Sequence, residues 1–293
     1  MGCSGNCMKK WNLVVDVAEC HGCNNCFVAC KDEYVGNQFP GYSAPQPLHG
    51  HKWINIQYRE RGRSPMVDAA YLPTMCNHCD NAPCVAKGNG AVVKRPDGIV
   101  IIDPQRAKGR KDLVDACPYG AIWWNAELEV PQTWIFDAHL LDQGWQAPRA
   151  VESCPTKALR ALRVDDEEMV RIRQDEQLEV LAPEWNTQPR VYYKNLHRYA
   201  ANFIGAVVLV EQTGTVECAA DVTIELWQQQ RLLQSVVTDC FGEFKFDGLA
   251  PHSGTYTVRL LAKDAEAEAH ELEMAGESIV MQDIVLQRRK AIS

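Results

Sequence analysis

The sequence predicts an α+β chain in two parts: a cysteine-built domain over residues 1–200 and a small antiparallel β-sandwich over 201–293. Three observations predict it. Eleven of the 13 cysteines lie in residues 1–154. They fall in closely spaced groups between short strand-like and helix-like runs. Beyond Asn202 the style changes to seven short strand-like runs punctuated by Gly, Asp, Pro and Ser, the pattern of a sandwich. A length of 293 residues suits two domains. A net charge of −8 and a pI near 5.5 argue against a general nucleic-acid binder.

The start, MGCSGNCMKKWNLVV, lacks the charged and then apolar run of a signal peptide. Asn6 stands where a myristoylation start needs Ser or Thr. The longest apolar runs, such as Phe203–Val210, are too short to span a bilayer, so no direct membrane insertion is expected. The expected location is the cytoplasm. Thiols there stay reduced, and clustered cysteines then suggest metal.

Each element has its own signal. Trp11–Val17 is apolar enough for a short buried strand, and Asn24–Glu33 has helical character. Residues 34–52, rich in Gly, Pro and Gln, predict an irregular segment. Trp53–Arg61 alternates like a strand. Gly90–Val93, the turn Arg95–Gly98 and Ile99–Ile102 read as strand, turn, strand. Lys108–Ala116 predicts a helix ending at Cys117-Pro118, and another short helix precedes Cys154-Pro155. Residues 165–180 are charged and helical, with Asp165–Glu168 as a solvated start. Pro183–Tyr199 is a connector. FIGAVVLV, DVTIELW, SVVTDC, GEFKF, GTYTVRLL, HELEM and IVMQDIVL are the seven strands that follow.

The chemistry lies in the cysteine spacing. Cys20, Cys23, Cys26 and Cys30 form C-x2-C-x2-C-x3-C. Three thiolates at steps of three on a tight loop can wrap three irons of a 4Fe–4S cubane. The fourth, one helix turn on, ligates a different cluster in two-cluster ferredoxins, where the run ends in Pro; here Lys31 follows. Cys76, Cys79 and Cys84 form a second three-ligand loop. Cys117 and Cys154, each before Pro, are the remote fourth ligands that such loops need. Structural zinc also favours four thiolates but usually takes two separated C-x2-C knuckles. No C-x-x-C-H is present for covalent haem. A P-loop, a nucleophile elbow and a dinucleotide fingerprint are also missing from the sequence.

DVAECHGCNNCFVACKDE, FPGYSAPQPLHGHKWINIQYRERG, CNHCDNAPCVAKGNGAVVKRPDGIVIIDPQRAKG, DACPYG and TQPRVYYKNL together resemble the iron–sulfur subunits of the DMSO-reductase family of molybdenum and tungsten enzymes. Within that family the chain resembles the branch of pyrogallol–phloroglucinol transhydroxylase and resorcinol hydroxylase small subunits. The resemblance covers about 11–200, and the sandwich also fits that branch. It implies a ferredoxin-like domain with paired cluster-binding halves and an Ig- or transthyretin-like sandwich. It implies a large partner subunit carrying Mo or W on bis-molybdopterin guanine dinucleotide, and a reaction there on a polyhydroxylated benzene.

The departures from the four-cluster pattern are informative. The family's further ligand places fall on Gly88, Ala107, Arg110 and Leu113, which removes one cluster. They also fall on Trp134, Asp137 and Ala150, which strands Cys30 and removes a second. What remains is Cys20, Cys23, Cys26 with Cys154, and Cys76, Cys79, Cys84 with Cys117, hence two 4Fe–4S clusters. Cys30, Cys3 and Cys7 are left over. They are either a tail and a leftover thiol or a rebuilt third site, with Asp137 or His139 as further ligands. Trp134 and Leu113 are expected to fill vacated volume, and Arg110 to need a partner or solvent. His78 reads as a loop residue or hydrogen-bond donor rather than a ligand. His49, His51 and Trp53 read as fold or interface residues, and Trp123, Trp124 and Trp145 as packing. Lys31 and Lys87 read first as solvated lysines, with cations that raise the cluster potentials as the alternative.

Nothing in the sequence performs substrate chemistry alone. An electron-transfer subunit of a molybdoenzyme is the leading reading. A stand-alone ferredoxin and a zinc-stabilised interaction module are the alternatives.

Overall fold

A computed structural model describes residues 8–212, 214–261 and 268–287. Cys3 and Cys7 lie outside the described residues. The chain divides into two compact units, 1–58 with 71–196 and 59–70 with 197–293.

The first unit opens with strand β1 (Lys10–Asp16), whose run of Trp11, Leu13, Val14 and Val15 is buried on both faces. That burial explains its near-continuous apolar sequence. Helix α1 (Asn25–Tyr34) follows. Strands β2 (Ile54–Arg63) and β3 (Met66–Met75) form a hairpin whose tip, 59–70, groups with the second unit. The sequence places that stretch in the first domain, because a run of alternating residues does not reveal where its far end packs. Next come α2 (Pro83–Gly88) and the hairpin β4 (Val92–Lys94) and β5 (Val100–Ile102). The expected helix at Lys108–Ala116 is a 3-10 turn over Lys111–Ala116. The hairpin β6 (Trp123–Asn125) and β7 (Val130–Gln132) and the one-turn helices α3 (Ala138–Leu141) and α4 (Arg149–Glu152) lead to β8 (Leu159–Val164). Helix α5 (Asp166–Asp175) and β9 (Val191–Lys194) complete the unit.

β1 is the centre of a three-stranded sheet, antiparallel to β8 and parallel to β9. α5 is capped by the Asp165 carboxylate, which accepts the Glu168 N–H, and it carries three acids in its first turn. Its Met169 packs with Val14 and Leu178, so the charged helix covers one sheet face through a narrow apolar stripe.

The second unit begins with α6 (His197–Ala200) and the long strand β10 (Asn202–Gln212). The remaining strands are β11 (Thr215–Cys218), β12 (Thr223–Gln228), β13 (Arg231–Val237), β14 (Glu243–Leu249), β15 (Gly254–Leu261), β16 (Glu268–Met274), β17 (Ile279–Val280) and β18 (Ile284–Gln287). One sheet runs β13-β12-β15-β16. The other is built on β10, which pairs with β11, β14, β17 and β18. Ile204, Val208, Phe244 and Phe246 of one sheet share a single core with Ile224, Leu226, Val258 and Leu260 of the other. The expectation of a purely antiparallel sandwich is corrected: β17 and β18 pair parallel to β10. The last expected strand breaks in two at Met281–Asp283, and β11 gives no apolar signal because its residues are exposed.

Within this unit the Arg61 side chain is fully shielded. Its Nη1 donates to Asp247 Oδ1 at 2.8 Å, and Nη2 pairs with Asp68, which also receives Arg198. Removing one partner of such a pair strands the opposite charge. Arg61→Ala is therefore expected to cost about 3 kcal/mol of stability. A denaturant titration following the second unit checks it; an unchanged midpoint would contradict the assignment of Arg61 as its electrostatic anchor.

Candidate iron–sulfur centres

Strand pairing explains why distant cysteines meet. β1 ends four residues before Cys20, and β8 begins five residues after Cys154. The two strands are antiparallel, with Val15 opposite Leu159 and the Asp16 N–H on the Ala158 carbonyl at 2.8 Å. The end of β1 therefore lies beside the start of β8. Cys154 and Cys23 sit close enough to Cys20 that their charges oppose its ionisation, and all three act on Cys26. The loop between them turns through Gly22 at φ +67, where a Cβ would lie 2.5 Å from the Tyr71 ring, and through Asn24 at φ 63. α1 then carries Cys26 and Cys30 into the interior.

The second group assembles in the same way. Cys76 follows β3 directly, and α2 holds Cys84 with Pro83 in its first turn. Cys117 caps the 3-10 turn. Ala91, Val92, Val100, Ile102, Ala107, Leu113 and Ile122 form a core against which Cys84 and Cys117 pack. Cys76 is coupled to Cys117, Cys84 and Cys79.

Burial dominates the chemistry of these thiols. Loss of water pushes Cys26 up to about 12 and Cys79 and Cys84 up to about 11, and it raises Cys20, Cys76 and Cys117. Opposing this, backbone amides hydrogen-bond the sulfurs: Gly22 to Cys20, Phe27 to Cys26, His78 to Cys76, Val85 to Cys84, and Ala121, Tyr119 and Gly120 to Cys117. Such loops are built to hold thiolates whose charge something else must balance. Iron supplies that charge. Among the described residues no three His, Cys, Asp or Glu converge as tightly as one ion requires.

Other predicted residues find places. His78 is buried and neutral: its Nδ1 accepts the Val100 N–H at 3.1 Å, and burial with Lys94 nearby lowers it to about 3. Lys87 is exposed, as the solvated reading has it, and reaches the Asp112 carbonyl at 2.8 Å. Lys94 lies by the second group, with its Nζ 2.6 Å from the His78 carbonyl and 2.8 Å from Asp80 Oδ1, and its charge acts on Cys76 and Cys79. The strand signal at β4 was legible, but its adjacency to the cysteine loop was not. Lys31 binds the Pro47 carbonyl. His51 contacts the Trp124 carbonyl, and Trp53 is fully buried. Trp145 is exposed, so it is not a packing residue.

Comparison with known proteins agrees with this geometry. A family model described as a 4Fe-4S dicluster domain matches residues 67–163. The pyrogallol hydroxytransferase small subunit of Pelobacter acidigallici is 46% identical over 266 residues, 90% of this chain and 93% of that protein. The chain belongs to the iron–sulfur subunits of DMSO-reductase-type molybdoenzymes. A tetrathionate reductase subunit of Salmonella typhimurium is 34% identical, covering 66% of this chain and 75% of that protein. A sulfite dehydrogenase subunit of Allochromatium vinosum is 31% identical, covering 64% of this chain and 83% of that protein. The chain is an electron-transfer protein whose cofactors are two 4Fe–4S clusters. No described helix is long and apolar enough to cross a membrane.

Among the described residues, the places without cysteine are packed or hydrogen-bonded. A Cβ at Gly88 would meet Val92 Cβ at 2.7 Å. Ala107 and Leu113 are in the core, while Arg110 pairs with Asp112 at the surface. Trp134 is fully buried. Asp137 accepts from Tyr34 Oη at 2.6 Å, Trp134 Nε1 at 3.1 Å and the Arg149 N–H at 2.8 Å. His139 Nε2 is 2.7 Å from Glu33 Oε1. Cys30 is buried beside Asp137, and burial raises its thiol further than that charge does.

A pH dependence follows. Free thiols have an ordinary value of 9.0, below the folded values of about 11 and 12. Above pH 9 the unfolded chain loses these protons first, so the native state binds more protons and stability falls as pH rises. Cluster-free protein should therefore show a lower denaturant midpoint at about pH 10 than at about pH 8. Cluster-loaded protein should fall less, because iron has already displaced the protons. Equal slopes for the two forms would contradict the role given to burial.

Proposed function

We propose that Cys20, Cys23, Cys26 and Cys154 hold one 4Fe–4S cluster, and that Cys76, Cys79, Cys84 and Cys117 hold the other. The observation that carries this is packing across long sequence separations: the β1–β8 pairing brings Cys154 back to the Cys20–Cys26 loop, and one core seats Cys84 with Cys117. The clusters store and pass single electrons. The chain's own residues shield them, donate amide hydrogen bonds to their sulfurs and place Lys94 beside the second. Cys30 is a buried leftover thiol beside the hydrogen-bonded Asp137 rather than part of a third site.

The partner is a large subunit carrying molybdopterin guanine dinucleotide with Mo or W, and the substrate class is a polyhydroxylated benzene. The 46% identity to a pyrogallol hydroxytransferase small subunit over most of both chains supports this. Cys23, Asn24, Asn25 and Val28 are exposed, so the first centre has a surface for a partner to cover. We assign the two-sheet unit to an immunoglobulin- or transthyretin-like sandwich and the complex to the cytoplasm.

Purification from native cells should yield a large subunit with Mo or W and eight irons on this chain. Twelve irons would restore the third site. Cys20→Ser and Cys154→Ser should remove the same cluster, read by electron paramagnetic resonance. Loss of different clusters would break the pairing. Turnover of resorcinol or pyrogallol by the complex tests the substrate class, and no turnover of any polyhydroxylated benzene would reject it.

A further inference from the structure

The β4–β5 hairpin carries a cation onto the second cysteine loop. Lys94 ends β4. Its Nζ lies 2.6 Å from the His78 carbonyl, 2.7 Å from the Gly98 carbonyl and 2.8 Å from Asp80 Oδ1. The carbonyls and the carboxylate can only accept. An ammonium has three N–H groups and a neutral amine has two, so this cage fits the charged form. The Val100 N–H donates to His78 Nδ1 at 3.1 Å, which ties the same hairpin to the same loop a second time. His78 directly precedes Cys79. Through that one peptide the Cys79 sulfur can lie no more than about 9 Å from the ammonium. Lys94 is half-buried, so salt screens its charge only in part.

The carboxylate beside Lys94 is shared with a second cation. Asp80 also receives Arg190, with Nε 2.7 Å from Oδ1 and Nη2 on Oδ2. Arg190 is 4% exposed, and its Nη2 lies 2.8 Å from Asp166 Oδ1. Asp166 Oδ2 in turn receives Lys10 Nζ at 2.6 Å. The turn of the hairpin packs on this group: a Cβ at Gly98 would lie 3.0 Å from Arg190 Cδ. Lys10, Lys94 and Arg190 are thus three cations against the two carboxylates of Asp80 and Asp166. One positive charge is left over, and Lys94 is the member that sits on the cysteine loop.

A cluster gains a negative charge when it is reduced, and a fixed cation nearby favours that state. We propose that the Lys94 ammonium, fixed between the His78 carbonyl and Asp80, raises the reduction potential of the second cluster. The inference rests on the assignment of Cys76, Cys79, Cys84 and Cys117 to that cluster.

The test is a potentiometric titration of the native complex, purified anaerobically and followed by electron paramagnetic resonance. A Cys76→Ala variant identifies the second cluster by the signal it loses. Lys94→Gln keeps N–H donors for the carbonyls and removes the charge. It should retain eight irons and move the second cluster to more negative potential, further than the first. Lys94→Arg should stay near the wild-type value. Eight irons with the second potential unmoved in Lys94→Gln would overturn the proposal, as would an equal negative shift in Lys94→Arg. Should Lys94→Gln retain fewer irons, Lys94→Met is titrated in its place. Loss of irons from both neutral variants would make Lys94 a structural tie of the loop and would overturn the proposal too. A Cys76→Ala variant that keeps both signals would instead overturn the underlying ligand assignment.

Discussion

The central constraint is that sulfur must be taken out of water and still carry charge. Buried thiols hold their protons, and the ligand set becomes anionic only when iron balances it. Each tetrad also needs a fourth sulfur from far along the chain, since three on a tight loop leave one iron unmet. The first unit is arranged around that requirement. β1 and β8 bring Cys154 back to Cys20, and the Ala91–Ile122 core seats Cys84 beside Cys117.

The same constraint explains how a cluster is lost. A vacant cluster volume lined by a few sulfurs would leave a costly void. Here Trp134, Leu113, Ala107 and Val92 occupy such space, and the stranded polar groups are paired internally. Asp137 receives three donors, and Glu33 takes both His139 and Arg149. Removal of the ligands and closure of the volume are therefore one change seen from two sides. Cys30 survives because a buried thiol packs like a small apolar side chain.

The two centres differ in their surroundings. The first keeps an exposed cysteine and an exposed helix start. The second has Lys94 beside it and three amides at Cys117. The cation favours the reduced state, so the two centres differ electrostatically as well as in exposure.

Sequence alone determined the ligand inventory, because cluster loops are local: three sulfurs within seven to nine residues set the chemistry before the fold is known. It also determined the apolar strands β1, β10, β12 and β15, whose periodicity is a local property. Tertiary structure decided the rest. Lys94 meets the second centre from a separate stretch of the chain, and no spacing rule encodes such a meeting. The parallel return of β18 to β10 and the membership of 59–70 in the second unit depend on which surfaces bury each other, a non-local choice settled by packing.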